Sequence, residues 1–118
     1  MKGDDIARRL LRFGVDVLCL VRQLPRDYLG RHVGRQLLRA ATAGGANYEE
    51  SRSAESRADF AHKVSIAAKE IRESRYWLSL ISEAGLQSRL DVTQLLNESG
   101  ELIAILTASA KTAKAGPR

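Results

Sequence analysis

The sequence is poor in the residues that mark several protein classes. Its 118 residues include one cysteine, Cys19, two prolines and only 5% aromatic residues. A single cysteine cannot form an internal disulfide, and no signal peptide follows Met1, so the sequence predicts a protein of the reducing cytoplasm. Charged residues such as Asp16 and Arg22 interrupt the apolar runs, and no segment is therefore expected to span a membrane.

The remaining composition is that of an ordinary globular domain. Hydrophobic residues make up 44% of the chain and charged residues 28%, which argues against disorder and against a fibrous repeat. A chain of 13.0 kDa is long enough for one modest core. We therefore expect a single domain.

Apolar and small residues recur at alternating spacings of four and three in four stretches, which is the pattern of amphipathic helices. The spacing predicts helices at about residues 4–24, 31–52, 57–84 and 91–112, with a flexible tail at 113–118. Residues that stop or cap helices lie near the ends of these stretches: Pro25, Ser56 with Asp59, Gly85, and Asp91 or Thr93. Because the connections are short, the sequence predicts an all-α fold, an antiparallel up-down-up-down four-helix bundle.

Several helices carry apolar residues outside the narrow apolar stripe. They are Leu11, Val15, Leu18 and Val21 in the first helix, Trp77 and Leu80 in the third, and Leu95, Leu102 and Ile105 in the fourth. A bundle of this size has limited room for them, so the wide faces predict self-association. A wide stripe that packs fully inside one bundle is the alternative.

The positive charge is concentrated in the first third of the chain. Residues 1–40 hold nine Lys or Arg and four acids, which accounts for the whole net charge of +5. Arg31, Arg35 and Arg39 form a row on the second helix, and Arg8 and Arg12 form a shorter row on the first. Such rows suit phosphate contacts that do not read base sequence, so these five are the candidate nucleic-acid-binding residues. A solvated helical face is the alternative.

An unusual segment of the second helix contains two adjacent glycines, Gly44 and Gly45. Each costs about 1 kcal/mol relative to alanine, and close approach of a neighbouring helix would offset that cost. Asn47 falls on the apolar stripe, where a hydrogen-bonded amide can fix the register of the helices. A ligand contact is its alternative role.

The end of the second helix and the third helix carry charged and aromatic side chains for which structural roles are expected. Those singled out are Glu50 one turn after Asn47, the spaced pairs Asp59 with Lys63 and Lys69 with Glu73, and then Glu70, Tyr76 and Trp77. Ion pairing within or between helices is the expected role of the charged residues. The two aromatic residues are expected to be core or interface anchors, with stacking on bases as the alternative.

Patterns of catalytic and metal sites are weak. The chain has two histidines, His32 and His62, and Asp59-x-x-His62 is the one near match to the Glu-x-x-His unit of di-iron bundles. No Gly-x-Ser-x-Gly elbow, phosphate-binding loop or zinc knuckle is present. We therefore expect no enzyme activity, catalytic residue, cofactor or metal site.

Motifs between Thr42 and Leu78 resemble a known family. They read Gly45-Ala46-Asn47-Tyr48-x-Glu50, Asp59-Phe60-x-x-Lys63 and Lys69-Glu70-x-x-Glu73-x-x-Tyr76-Trp77-Leu78. The pattern strongly resembles the bacterial four helix bundle protein family. That family includes proteins encoded in intervening sequences of large-subunit ribosomal RNA genes and accessory proteins of diversity-generating retroelements. The resemblance covers essentially the whole chain.

The resemblance implies a bundle that assembles as a homo-oligomeric ring, a pentamer, with structural roles for the matching residues. For the retroelement branch it implies a basic surface that engages a reverse transcriptase and nucleic acid. We accordingly expect a non-enzymatic, oligomeric binding or scaffolding protein whose partner is RNA, DNA or a nucleic-acid-processing protein. The alternative is a protein–protein adaptor without nucleic-acid binding, whose arginines serve subunit assembly.

Overall fold

The computed structural model describes residues 2–86 and 91–116, and in these residues all regular structure is helical. The helices are α1 (Lys2–Val21), α2 (Tyr28–Ser51), α3 (Arg57–Ala84) and α4 (Thr93–Ala115). Helices α2 and α3 pack closely, as do α3 and α4, and α1 rests on α2 and α4. The predicted all-α four-helix bundle is confirmed. None of the helices in the described residues has an apolar stretch long enough to cross a membrane.

Contacts between residues show that consecutive helices run in opposite directions. Arg52, just after α2, pairs with Asp4 at the start of α1, whereas Gly34 near the start of α2 faces Val21 at the end of α1. The end of α4 lies beside the start of α3, because Ala113 lines the same groove as Ala61. Between α2 and α3, Glu50 lies beside Lys63 and Arg39 lies beside Glu73. The helices therefore alternate up and down.

The core runs along the bundle axis and draws on every helix. Phe13, Leu37, Ile71 and Leu102 are fully buried representatives of α1, α2, α3 and α4. Burying a side chain of this size contributes about 1.5–3 kcal/mol relative to leaving it exposed. Leu102 belongs to the residues that the spacing placed outside the stripe of α4, so part of that wide apolar face packs inside the bundle.

The turn between α1 and α2 lies three residues earlier in the chain than predicted. Helix α1 ends at Val21 rather than near residue 24, because Leu24 donates to the carbonyl of Val21 three residues back and turns into the core. Helix α2 begins at Tyr28 rather than 31, because the carboxylate of Asp27 accepts from the backbone N–H of Gly30 at 2.9 Å. A Cβ on Gly30 would lie 1.9 Å from the carbonyl oxygen of Pro25.

The other helix ends follow their capping residues. The Ser56 hydroxyl accepts from the Asp59 N–H at 3.0 Å, and Gly85 closes α3 in the left-handed conformation with φ 60°. The Asp91 carboxylate accepts from the Thr93 N–H at 2.9 Å at the start of α4. Helix α4 extends to Ala115, so residues 113–115 are helical and not part of a flexible tail, because buried Ala113 anchors the last turn. Residues 117 and 118 of that predicted tail lie outside the described residues.

Replacing Gly30 with alanine should destabilise the turn, because the new methyl group would collide with the Pro25 backbone. We expect Gly30→Ala to lower the free energy of unfolding by about 1–3 kcal/mol, measured by urea denaturation followed by circular dichroism. Gly100→Ala is the matched control, since a Cβ on Gly100 in α4 meets no heavy atom within 4 Å. That change should raise stability by up to about 1 kcal/mol. Equal effects of the two substitutions would contradict the close approach at Gly30.

Candidate nucleic-acid interface

A groove lined by four arginines lies where the end of α1 meets the start of α2, with a volume of about 530 Å³. Arg22 and Arg26 lie in the turn that follows α1, and Arg31 and Arg35 lie in the first turns of α2. The other lining residues are apolar or glycine: Val21, Leu24, Pro25, Gly30, Gly34 and Leu38. These four arginines are called the arginine cluster below.

The charges of the arginine cluster are not matched by nearby acids. Arg22, Arg26 and Arg35 are exposed and form no ion pair with another described residue. Arg31 donates from its guanidinium to the backbone carbonyl of Arg26 at 3.1 Å, which leaves its charge uncompensated. Asp27, the acid of this segment, caps α2. The groove therefore concentrates positive potential, which attracts polyanions.

Arg39 is the last member of the predicted row on α2. Unlike the arginine cluster, it pairs with acidic residues of α3. Its guanidinium lies 2.6 Å from Glu73 and 3.3 Å from Glu70. The hydrogen bond from Arg39, followed by one from Trp77, lowers the pKa of Glu73. The Arg39 side chain is half exposed, so the contacts neutralise charge more than they add stability.

Arg8 and Arg12 lie on two other surfaces. Arg12 pairs with Asp16 at 3.3 Å in the groove between α1 and α4, which also contains Glu98 and Glu101. Arg8 lines the groove between α1 and α2 near the other end of the bundle. The structure therefore brings Arg31 and Arg35 together and leaves the other three candidates apart. Binding of nucleic acid by any of the five stays a prediction.

Sequence reasoning missed Arg22 and Arg26 as site residues. Both counted towards the basic first third, but neither lies at a helical spacing from the row on α2. The available signal was their position on either side of Pro25. A helix stop followed closely by a new helix returns the chain onto itself, which places these residues against the first turns of α2.

Four aromatic rings form a chain of contacts from α2 to α3, which we call the aromatic row. The rings of Tyr28 and His32 are nearly parallel, with centroids 6.4 Å apart and an interplanar angle of 19°. Trp77 meets His32 at 5.8 Å and Tyr76 at 5.1 Å, both edge to face. Trp77 is half-buried and donates from Nε1 to Glu73 at 3.0 Å, whereas Tyr76 is 60% exposed. Of the two predicted anchors, Trp77 alone packs into the bundle.

Comparison with known proteins places the chain in a family. A family model described as 23S rRNA-intervening sequence protein matches residues 4–108. The chain belongs to this family. The family resemblance that the motifs indicated is thereby confirmed.

A solved structure supports the same assignment. It is a protein of unknown function from the S23 ribosomal protein family of Bacteroides thetaiotaomicron VPI-5482, with 33% sequence identity. The match covers 94% of this chain and 99% of the other, with a TM-score of 0.85. No curated protein matches the chain.

Of the two adjacent glycines in α2 of this 23S rRNA-intervening sequence family member, one lies at the expected close approach of a neighbouring helix. A Cβ on Gly44 would lie 2.4 Å from Cδ1 of Ile71 in α3, so the two helices approach closely there. Gly45 faces Leu10 of α1, where a Cβ would meet Cβ of Leu10 at an ordinary 3.7 Å.

Asn47 does not take the core position that the spacing assigned to it. Its side chain is half-buried, and Nδ2 donates to the Ala43 carbonyl of its own helix at 2.8 Å. Tyr48, which is 3% exposed, fills the core position instead. Asn47 and Tyr48 lie three and four residues after Gly44, and both positions are close to the apolar stripe of α2. The aromatic ring of Tyr48 gains more free energy from burial than the amide of Asn47.

The charged residues of the family motifs form ion pairs between helices rather than along α3. Lys63 lies 3.6 Å from Glu50 of α2, and Glu73 pairs with Arg39. The predicted pairs Asp59 with Lys63 and Lys69 with Glu73 are not among the ion pairs of the described residues. Asp59 instead accepts from the backbone N–H of Glu55 at 3.4 Å, and Lys69 is exposed.

Residues able to hold a metal ion are scattered. Over residues 2–86 and 91–116, no three His, Cys, Asp or Glu side chains are grouped in a way that could hold one. The expected absence of catalytic residues and cofactors stays a prediction.

Proposed function

We propose that this protein is a non-enzymatic binding protein that engages nucleic acid through the arginine cluster and works as a homo-oligomer. The observation that carries the proposal is a groove that, among the described residues, is lined by four arginines and by no acidic residue. The name of the family model refers to 23S rRNA, which makes RNA the first ligand to test. A reverse transcriptase or another nucleic-acid-processing protein stays a predicted partner.

The chemistry of the arginine cluster suits phosphate. A guanidinium group carries a permanent charge and a planar set of N–H donors that match two phosphate oxygens. Phosphate contacts release counterions, so the affinity falls steeply as salt concentration rises. The described lining of the groove includes no side-chain carboxylate or amide that could read base edges, so binding should depend weakly on sequence.

Removing the arginine cluster should weaken RNA binding. We expect a variant with Arg22, Arg26, Arg31 and Arg35 each replaced by Gln to bind RNA at low salt about tenfold or more weakly. Its plot of log affinity against log salt should become shallower by about 0.7 for each phosphate of a single strand that the variant no longer neutralises. Fluorescence anisotropy with labelled RNA measures both quantities.

The control removes the same number of positive charges elsewhere. Lys2, Arg57, Lys111 and Lys114 are exposed, form no ion pair with other described residues, and lie on α1, α3 and α4 at the opposite end of the bundle. Replacing them with Gln should change the affinity much less, because they lie outside the arginine cluster. An equal reduction in the two variants would mean that net charge alone drives binding and would contradict the proposed site.

The adaptor alternative also has an observation in its favour. A groove of about 640 Å³ between α1 and α4 is lined by the acids Asp16, Asp91, Glu98 and Glu101, and could receive the arginines of a neighbouring copy. However, Arg12 already pairs with Asp16, and Arg9 with both glutamates. Asp91 caps α4. These contacts would have to be broken, so nucleic acid is the better-supported partner of the arginine cluster.

The proposed subunit interface is an apolar row on α1. Leu11 is 70%, Val15 42% and Leu18 39% exposed, and the row borders a groove of about 770 Å³ between α1 and α2. Covering apolar surface contributes about 25 cal/mol per Å² removed from water, which favours association through this row. The family resemblance implies a ring of five copies.

Replacing Leu11 and Leu18 with Gln should disrupt self-association. We expect the wild-type protein to have a mass several times 13.0 kDa in light scattering after gel filtration, and the variant to approach 13.0 kDa with unchanged helical content. Leu29→Gln is the control, because Leu29 is 59% exposed but lies on α2. A wild-type protein of 13.0 kDa, or a variant with the wild-type mass, would overturn this interface.

A further inference from the structure

The aromatic row continues directly from the arginine cluster. Tyr28 and Arg31 are three residues apart on α2, as are His32 and Arg35, and residues at this spacing are neighbours on a helix surface. Trp77 and Tyr76 extend the row onto α3 through the contact between Trp77 and His32. The basic groove and the four rings therefore form one continuous surface.

The exposed rings of this surface are not used by the fold. Tyr28 is 76% and Tyr76 60% exposed, so the core gains little from either ring. His32 and Trp77 link the two tyrosine rings into one contiguous patch, and a contiguous exposed apolar patch marks an interaction site. Their basic border distinguishes them from the apolar row on α1, which is bordered by alanine and glycine as well as charged residues of both signs.

Hydrogen bonds hold Trp77 of the aromatic row in place. Glu73 accepts from Trp77 Nε1 through one carboxylate oxygen and from Arg39 through the other, at 3.0 and 2.6 Å. The indole in turn contacts the rings of His32 and Tyr76. Arg39 and Glu73 thus act as positioning residues that fix the Trp77 ring, which reduces the entropy cost when a ligand binds.

We infer that the ligand of this surface is single-stranded nucleic acid, whose bases stack on the aromatic row while the arginine cluster holds its phosphates. The inference rests on the proposed function and makes it specific. Duplex bases are stacked on each other and cannot reach an aromatic side chain, whereas unpaired bases can be splayed onto one. A basic track beside exposed rings is the combination that binds single strands with little sequence preference.

The test compares variants that remove or retain the rings. A variant with Tyr28→Leu and Tyr76→Leu should bind an unstructured RNA of adenosine and cytidine about tenfold more weakly, because bases can no longer stack on these rings. Its salt dependence should stay that of the wild type, because the arginines that neutralise phosphates are unchanged. A variant with Tyr28→Phe and Tyr76→Phe keeps both rings and should bind as the wild type does. Anisotropy with this RNA and with a duplex of equal length measures the affinities.

Trp77 offers a second readout in the unaltered protein, because it is the single tryptophan of the chain. Stacking beside it should quench its fluorescence when the unstructured RNA is added, and the duplex should quench it much less. Quenching of equal size by both RNAs would contradict the inference. Equal affinity of the wild type for both would do the same.

The outcomes separate this inference from the function it rests on. If the arginine variant binds RNA more weakly and the leucine variant does not, the arginine cluster binds nucleic acid but the aromatic row does not, and the inference is overturned alone. If the arginine variant binds like the wild type, both proposals fall. A reduced mass of the leucine variant in light scattering would identify the aromatic row as a subunit contact and would also overturn the inference.

Discussion

The close contact between Gly30 and the Pro25 carbonyl is the constraint on which the candidate site depends. Because Gly30 has no side chain, the first turn of α2 can lie against the turn that ends α1. This approach brings Arg22 and Arg26 to the groove that also contains Arg31 and Arg35. A wider turn would spread the four charges along two helices, and the positive potential of the groove would weaken with distance.

Ion pairs within the chain decide where its net charge acts. Arg9, Arg39 and Arg52 are each held by carboxylates of another helix, so their charges are largely compensated. The hydrogen bonds to Glu98 and then Glu101 raise the pKa of Arg9, and those to Glu73 raise the pKa of Arg39. The arginine cluster lacks such partners among the described residues. The uncompensated positive charge of residues 1–40 therefore lies mainly at one end of the bundle.

The fold could be predicted from the sequence because apolar spacing, caps and stops are local signals. The candidate site could be predicted only in part, because ion pairs depend on how helices are set against each other. The spacing of Arg31, Arg35 and Arg39 correctly placed them on one helix. Glu70 and Glu73 neutralise the charge of Arg39, and this pairing depends on the register of α2 against α3. The core position taken by Tyr48 rather than Asn47 has a similar origin, since the spacing allows both residues and packing selects one.

The arginine cluster and the aromatic row together constitute the proposed surface for single-stranded nucleic acid. Ultraviolet cross-linking of the wild-type protein to an unstructured RNA, with mass spectrometry of the linked peptides, would locate the bound strand residue by residue. We expect cross-links at Tyr28 and at Tyr76 or Trp77, on the two helices that carry the row. Cross-links confined to α4, or to the groove that contains Arg12, would contradict this surface.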